Sequence, residues 1–546
     1  MAHLASSASS TIAPSTLRKP NSQAFTEADS DVEKQQGEGW LQVLPGDDHC
    51  SVDEKGSKRE ADYEVQFAEG DKENPHNWPV WKKWAVTVLS GALVLNATLA
   101  SSLPAGNLSL MRQDLHFSAE VGNLTLSLFV LGFAFGPILW GPLSEQYGRR
   151  MVYIISFSLY MGSQIGCALA PNTAAILAFR LLGGMFAAAP LTNSGGMISD
   201  MFDAASRAKP VAAFTVTPFA GPTLAPLISG YMAESGVSWR WVYWLETIVA
   251  GVFLFIALFI QPESFKPVVL ANKAARMRKE TGDTAWWAPH EKQRVPFIER
   301  MKAILTKPFK MLVTEPMLMA MTIYMSFMYG VMYLFFESYP IVFAVGHHMS
   351  AGHLGLTFLP ICVGGIIGGL SFILIFGSGS LYRREAAKHA PHPVPPEFRL
   401  IQCIYAAPMF PIAIFWFGWT SFPSVSFWAP VMAGFPVGFS VVWIFLGMFA
   451  YIIDTYLAAA ASALAVAVIV RSLFGAAFPL FATQMYEGLG PHWASTILGC
   501  IAAILTPIPY VLIKFGPKLR QMSKASQAKE DASKAPYQPG TKSDSA

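Results

Sequence analysis

Long apolar blocks, separated by polar connections, dominate the chain from about residue 80 to residue 520. Each block is about as long as the ~20 residues with which a helix crosses ~30 Å of hydrocarbon. Backbone groups cannot stay unpaired in lipid, so blocks of this length must be helices. The pattern therefore predicts an all-α polytopic membrane protein with twelve transmembrane helices. They are placed at residues 84–104, 119–141, 151–170, 174–197, 208–232, 242–261, 317–340, 353–377, 399–419, 428–450, 460–484 and 493–514.

The longest internal polar connection, residues 262–316, divides the spans into six and six. Two six-span halves joined by such a linker are typical of transporters that rock around a site at the middle of the membrane. The halves are then residues 78–261 and 317–522. Residues 1–77 and 523–546 are polar and hold few large apolar side chains, so we expect disordered tails there. No apolar segment of a cleavable signal peptide precedes the first span.

The distribution of charge fixes the predicted orientation. Only 14% of the residues are charged, against about 25% in a soluble protein. Basic residues concentrate in alternate connections, and the intervening connections hold Arg112 and Arg240 alone. The positive-inside rule therefore places both termini in the cytoplasm. Because the basic residues flank apolar spans and no binding motif accompanies them, a nucleic-acid partner is excluded.

Several chemical classes are absent from the sequence. The five cysteines lie far apart, with no metal-like or redox spacing. No nucleophile elbow, phosphate loop or dinucleotide fingerprint occurs, which argues against an enzyme and against ATP-driven pumping within this chain. We therefore expect no cofactor and no metal. Asn107 begins an Asn-Leu-Ser triplet in a predicted outside loop and is a candidate glycosylation site.

The most specific motif closes the second predicted span and reads Gly141-Pro-Leu-Ser-Glu145-Gln-Tyr-Gly148-Arg149-Arg150. Its two glycines allow the helix end to approach a neighbouring helix closely. The Glu145 carboxylate and the two guanidinium groups can form a salt-bridge cluster, which would act as a gate latch if it formed in one conformation and broke in the other. Asp200 or Asp203 can pair with Arg149. The alternative is plain anchoring at the basic side of the membrane.

Three charged residues fall well inside predicted spans, where a charge needs a cavity or a partner. Arg180 lies in the fourth span and either couples protons or braces helices through carbonyl groups. Glu337 lies in an aromatic stretch of the seventh span and either carries protons, pairs with a cationic substrate, or snorkels to the interface. Arg471 lies midway along the eleventh span and either neutralises a carboxylate or holds its helix. Asp454 and Glu246 lie near span ends, where we expect ordinary interfacial positions.

The fifth predicted span combines prolines four residues apart with a face of small residues. Prolines remove backbone hydrogen bonds and bend the helix, while small residues permit close packing. The relevant positions are Gly221, Pro222, Ala225, Pro226, Ser229 and Gly230.

These motifs resemble those of a known family. The segment from Gly141 to Arg150 is similar to the Gly-x-x-x-Asp-x-x-Gly-Arg-Arg/Lys signature of the major facilitator superfamily, with Glu145 in place of Asp and Gln146 in place of a common Arg. The fifth span resembles the antiporter motif of its drug exporters, with Ala225 and Ser229 where glycines are usual. The segments from Asn74 to Trp84 and from Arg471 to Tyr486 resemble the fungal twelve-span drug:proton antiporters.

The resemblance implies proton-driven export of drugs, polyamines, toxins or secreted metabolites across the plasma membrane, with the vacuolar membrane as the alternative. It associates Arg180 with proton handling. The expected partners are a small-molecule substrate, protons and the lipid bilayer, and we expect a monomer. Two alternatives stay open on the same fold: a proton-coupled importer or facilitator of a sugar or organic acid, and a receptor-like member that does not transport. Pro262-Glu-Ser264 continues with Phe-Lys rather than Pro-Arg, which favours the exporter branch.

Overall fold

Twelve helical segments are long and apolar enough to cross a membrane. They belong to a computed structural model that describes residues 63–203, 206–292, 306, 308–376, 380–389, 394–456 and 459–523. The predicted tails therefore lie largely outside the described residues. Numbered in chain order, spans 1 to 12 are Val80–Leu115, Ala119–Tyr147, Arg149–Ala168, Thr173–Met201, Lys209–Glu234, Arg240–Ile260, Pro316–Gly346, Ala351–Ile375, Pro396–Thr420, Trp428–Tyr456, Ser462–Leu489 and Pro491–Met522. The predicted number of spans is confirmed.

Several spans consist of more than one helical piece. Span 1 contains an α-helix at Val80–Ser102, a 3-10 turn at Leu103–Asn107 and a second α-helix at Leu108–Leu115. The break falls at Pro104, which has no N–H to continue the helix. Span 7 continues from the α-helix Pro316–Tyr339 into a π-helical segment, Pro340–Gly346. The other divided spans are Ala351–Leu356 with Leu359–Ile375, Pro396–Leu400 with Ile401–Thr420, Trp428–Met432 with Gly434–Tyr456, and Pro491–Leu505 with Ile508–Met522.

The two sets of six spans follow one packing rule. In the first set span 1 packs on span 5, span 2 on span 4, and span 3 on spans 4 and 6. Adding six to each number gives the pairs of the second set: 7 with 11, 8 with 10, and 9 with 10 and 12. Between the sets, span 2 packs on span 11 and span 5 packs on span 8. These two contacts are equivalent, because spans 8 and 11 are the counterparts of spans 2 and 5. This internal repeat, with its two six-helix halves, is the predicted fold class.

The two ends of the bundle differ in charge. One end, here named the basic face, carries the connections after spans 2, 4, 6, 8 and 10. The other end is named the opposite face. Outside the spans, the basic face carries the helices Lys266–Thr281, Pro289–Lys292 and Ser380–His389.

Residues 63–77, which composition assigns to a disordered tail, pack against the linker helix Lys266–Thr281. Asp71 Oδ2 accepts a hydrogen bond from Lys273 Nζ at 2.5 Å, and Glu73 Oε1 accepts one from Arg276 Nη2 at 2.5 Å. The Lys273 ammonium group holds the pKa of Asp71 below its usual range. The structure differs from the prediction here because the charges that make the segment polar find partners of opposite sign on the linker.

Candidate functional site

The connection between spans 2 and 3 is built around Gly148. Its φ of 91° is a backbone conformation that glycine adopts without steric cost. Directly after it, the amide of Arg149 donates to Glu263 Oε1 at 2.8 Å and the amide of Arg150 donates to Oε2 at 3.1 Å. The Oε1 atom also accepts from the amides of Ser264 and Phe265. One carboxylate after span 6 therefore caps the N-terminus of span 3, where the first amides have no helical partner.

The Arg149 side chain lies at the centre of the predicted latch. It forms an ion pair with Asp200 Oδ2 at 3.4 Å, donates to Ser144 Oγ at 2.6 Å, and lies 4.9 Å from the ring of Phe265. The structure thus pairs Arg149 with Asp200, whereas Asp203 contacts His76 Nδ1 at 2.8 Å.

Three members of the latch motif do not make their predicted contacts in this conformation. Within the described part of the chain, Glu145 forms no hydrogen bond or ion pair, and Arg150 donates to the backbone oxygen of Leu258 at 2.9 Å instead. The turn at Gly148 ends the helix between Glu145 and the arginines, and the guanidinium groups contact Ser144, Asp200 and the Leu258 oxygen instead. Gly141 was expected to permit a close helix contact, but a Cβ at this position would meet no atom within 4 Å.

The second half contains an equivalent pair. At the start of span 9, Arg399 Nε donates to Asp454 Oδ2 near the end of span 10 at 2.8 Å. Arg149 at the start of span 3 and Asp200 at the end of span 4 hold the corresponding places in the first half. Glu263 and this second pair were not predicted as site residues. Comparing spans 3 and 4 with spans 9 and 10, which occupy the same places in the second half, would have indicated Arg399 and Asp454.

Arg180 is fully buried and bonded to three backbone oxygens. Its Nε donates to Thr125 at 2.6 Å, and Nη1 and Nη2 donate to Ala100 and Ser101, each at 2.7 Å. The Ala100 oxygen would bond the amide of residue 104 in an unbroken helix, but that residue is proline. Arg180 therefore supplies the donor that the break in span 1 removes. Its bonds join span 4 to spans 1 and 2, as in the predicted alternative in which Arg180 braces helices through carbonyl groups.

Glu246 was expected near the interface, and this prediction is wrong. Its side chain is 3% exposed, and Tyr160 Oη donates to its Oε1 at 2.8 Å. Glu246 lies six residues inside span 6, on the face that packs against span 3. Distance from a span end does not show which face of the helix a residue occupies.

Glu337 lies in span 7 with its side chain 9% exposed. Its Oε2 lies 3.1 Å from the side-chain amide of Asn123 in span 2, so the NH₂ group of that amide faces the carboxylate and donates to it. The oxygen of the same amide accepts from Thr483 Oγ1 in span 11 at 3.3 Å. A buried carboxylate of the second half is thus bonded to the first half, and it does not reach solvent as snorkelling would require.

Other contacts join the halves near the opposite face. Glu234 at the end of span 5 accepts a hydrogen bond from the amide of Gly352 in span 8 at 2.8 Å. Ser101 Oγ of span 1 and Tyr333 Oη of span 7 are 2.8 Å apart. Together with the Glu337–Asn123 bond, these contacts clasp the two halves at this end of the bundle.

The motif of span 5 packs as its small residues predict. A Cβ at Gly221 would lie 2.8 Å from the Leu95 oxygen of span 1, and one at Gly230 would lie 2.9 Å from the Ala351 carbonyl carbon of span 8. Pro226 has no N–H for the Pro222 oxygen, which accepts from Ser102 Oγ at 2.8 Å instead. Span 5 is therefore in close contact with a helix of each half.

Arg471 lies in span 11 with its side chain 6% exposed. Its guanidinium carbon is 4.7 Å from the ring of Tyr329 and 5.8 Å from that of Phe445. Among the described residues, no ion pair joins Arg471, Arg180 and Glu337 to one another. The structure keeps these three charges as separate sites.

Asn107 is 1% exposed, and both its side-chain amide atoms are buried. A glycan cannot be attached to an amide enclosed in this way, so the candidate glycosylation site is not accessible in this conformation. The turn Leu103–Asn107, which follows from Pro104, carries the side chain inward.

The model of the Major Facilitator Superfamily matches residues 89–479. The chain belongs to the major facilitator superfamily. It is 38% identical over 482 residues to the "Major facilitator superfamily multidrug transporter mdrA" of Aspergillus fumigatus, covering 88% of this chain and 78% of that protein. It is 37% identical over 463 residues to "Efflux pump FUBT" of Fusarium oxysporum, covering 84% and 77%.

Among solved structures, the fold is similar to that of the proton:xylose symporter XylE bound to a sugar analogue. The TM-score is 0.58 at 15% sequence identity, with 80% of this chain and 96% of that chain covered. At this identity the likeness concerns the fold alone. The predictions of a major facilitator transporter and of a secondary transporter of small molecules are confirmed. The family and fold are those of transporters rather than of enzymes.

Proposed function

We propose that this protein is a proton-coupled exporter of small organic molecules in the plasma membrane, and that it works by alternating access. The basic face lies in the cytoplasm with both termini, as the positive-inside rule requires. Relatives named as a multidrug transporter and an efflux pump support the outward direction. The close packing of span 5 against spans 1 and 8 also supports it, since this helix carries the antiporter-like motif.

The contact between Glu337 and Asn123 carries the proposal. Burying an ionised carboxylate costs several kcal/mol more than burying a neutral acid that keeps a hydrogen bond. Glu337 is buried when the halves are clasped at the opposite face, which is the extracellular side in this orientation. A proton taken from outside therefore favours closing that side. Opening toward the cytoplasm releases the proton inward, and the return movement carries substrate outward.

The latch acts at the other stage of the transport cycle, in which the cytoplasmic side closes. Arg149 is bonded to Asp200 while Glu145 has no partner among the described residues. Glu145 is thus available to bind across the halves when the cytoplasmic side closes. Arg180 acts in this scheme as the brace of spans 1, 2 and 4, and Glu337 is the proton carrier.

The test uses inverted plasma-membrane vesicles, in which export appears as uptake into the lumen. An acidic lumen is imposed, and the panel contains cationic drugs, polyamines and organic acids. Glu337→Gln should abolish pH-driven uptake without lowering the amount of folded protein. Glu234→Gln is the matched control, because it removes a carboxylate charge from the same face yet keeps an acceptor for Gly352, and it should retain uptake.

Undiminished pH-driven uptake by Glu337→Gln would remove this residue from the mechanism. Movement of substrate in the same direction as protons would indicate the importer alternative. Binding without movement of any compound of the panel would indicate a receptor.

A further inference from the structure

The two arginines inside the bundle differ in how their charge is accommodated. Arg180 donates to three backbone oxygens. Arg471 donates to none of the described residues and forms no ion pair with them, and its Nε is buried without an acceptor. Burying a guanidinium group without a counter-charge is costly in a membrane. The chain therefore holds a buried positive charge whose partner is not one of the described side chains.

Arg471 is central in the bundle. It lies 11 residues from Ala460 and 18 from Leu489 in its helix, or about 16 and 27 Å at ~1.5 Å per residue. The rings of Tyr329 on span 7 and Phe445 on span 10 lie 4.7 and 5.8 Å from the guanidinium carbon. Phe219 of span 5, in the first half, contacts Phe445 at 4.9 Å and Tyr329 at 6.5 Å between ring centroids.

The hydrogen-bonding groups around this position continue toward Glu337. Tyr329 Oη donates to Tyr333 Oη at 3.4 Å, and Tyr333 Oη contacts Ser101 Oγ of the other half at 2.8 Å. Tyr329, Tyr333 and Glu337 are spaced four residues apart, so they lie along one side of span 7. The unpaired cation and the proposed proton site are therefore two helical turns apart, at the contact between the halves.

We infer that Arg471 binds the anionic group of the transported compound, and that the substrates include aromatic monocarboxylates. A guanidinium group matches a carboxylate through two parallel hydrogen bonds. The aromatic rings beside this guanidinium group suit a flat, apolar ligand body. A cationic ligand would meet an uncompensated like charge. This inference rests on the proposed function, since it names the substrate class of that transporter.

The test measures binding by the full-length protein purified in detergent. The ligands are aromatic monocarboxylates from benzoate to 1-pyrenebutyrate, their methyl esters, and 2-naphthylmethylammonium as a cation. Acids should raise the unfolding temperature of the wild type. Arg471→Gln should weaken acid binding at least about tenfold, which corresponds to about 1.4 kcal/mol, and should leave ester binding unchanged. The affinity of Arg471→Lys for the acids should lie between those of the wild type and Arg471→Gln, because lysine keeps the charge but lacks the planar guanidinium group.

Arg180→Gln serves as the matched control for a buried arginine. It should lower the unfolding temperature in the absence of ligand and still distinguish each acid from its ester. Measurements in chloride and in gluconate separate an organic acid from an inorganic anion as the ligand. Four results would each overturn the inference. They are stabilisation by chloride alone, equal stabilisation by acids and their esters, tighter binding of the cation than of the acids, and acid binding by Arg471→Gln equal to that of the wild type.

The two hypotheses can fail separately. Acid binding is measured without a pH gradient, so binding that depends on Arg471 without pH-driven transport would refute proton coupling and keep the anion site. Proton-driven transport of neutral or cationic compounds alone, unaffected in Arg471→Gln, would keep the exporter and refute the anion site.

Discussion

Replacing Arg180 with methionine tests whether this residue braces the first half of the bundle. Methionine retains much of the side-chain length and removes all three donors. The Ala100 oxygen then loses its donor entirely, because residue 104 is proline, at a cost of about 1–3 kcal/mol for an unsatisfied buried acceptor. The bonds to Ser101 and Thr125 contribute about 1 kcal/mol each as typical net hydrogen bonds. We expect a loss of about 3–5 kcal/mol in the free energy of unfolding.

The assay is reversible unfolding of the purified protein in mixed detergent micelles, monitored by tryptophan fluorescence. Arg240→Met is the matched control, since Arg240 forms a partly exposed ion pair with Asp114, and such pairs contribute about 0–1 kcal/mol. A loss below about 1 kcal/mol in Arg180→Met, within the range of such a pair, would refute the bracing role. Loss of pH-driven transport with stability unchanged would instead favour the coupling role.

Two further predictions concern the basic face. Glu263→Ala should destabilise the start of span 3 by about 0.5–2 kcal/mol, the range measured for lost N-caps. Hydrogen exchange should increase at Arg149 and Arg150, and unchanged exchange there would contradict the capping role. The contact of Asp71 with Lys273 lowers the pKa of Asp71 below its ordinary 3.8. The stability that this ion pair contributes is therefore complete above pH 3.8 and is lost as the pH falls through the lowered pKa. Hydrogen exchange of residues 63–77 should therefore show no transition between about pH 6 and 8 that arises from Asp71. It should increase in Asp71→Asn. Wild-type protection in that variant would show that the ion pair does not hold the segment.

The fold was predictable from the sequence because membrane helices are recognised by length and apolarity alone. All twelve predicted spans correspond to observed ones, since the criterion does not require knowledge of which side chains meet. The ends were less accurate: span 1 continues through the Pro104 break to Leu115, because helical segments persist after the most apolar residues end.

The site was predictable where a charge lies well inside an apolar block. Arg180, Glu337 and Arg471 stand out in this way, and all three are buried. Glu246 was expected at the interface and Glu263 was not singled out, because their contacts depend on which helix face or loop they approach. Asn107 was misjudged for the same reason. Asp200 was one of two predicted partners of Arg149, and the structure pairs it with Arg149. The contacts of Glu145 were not predictable, because they depend on the turn at Gly148 and on which groups the two guanidinium groups meet.

The central claim is that a proton on Glu337 closes the extracellular side. It can be tested by electron paramagnetic resonance distances between spin labels at Gly236, after span 5, and His348, before span 8. In the wild type the short distance should become more populated as the pH falls, because neutral Glu337 can be buried against Asn123. In Glu337→Gln the short distance should dominate at every pH. A wild-type distance distribution that does not change with pH, or a Glu337→Gln distribution that still does, would contradict the account.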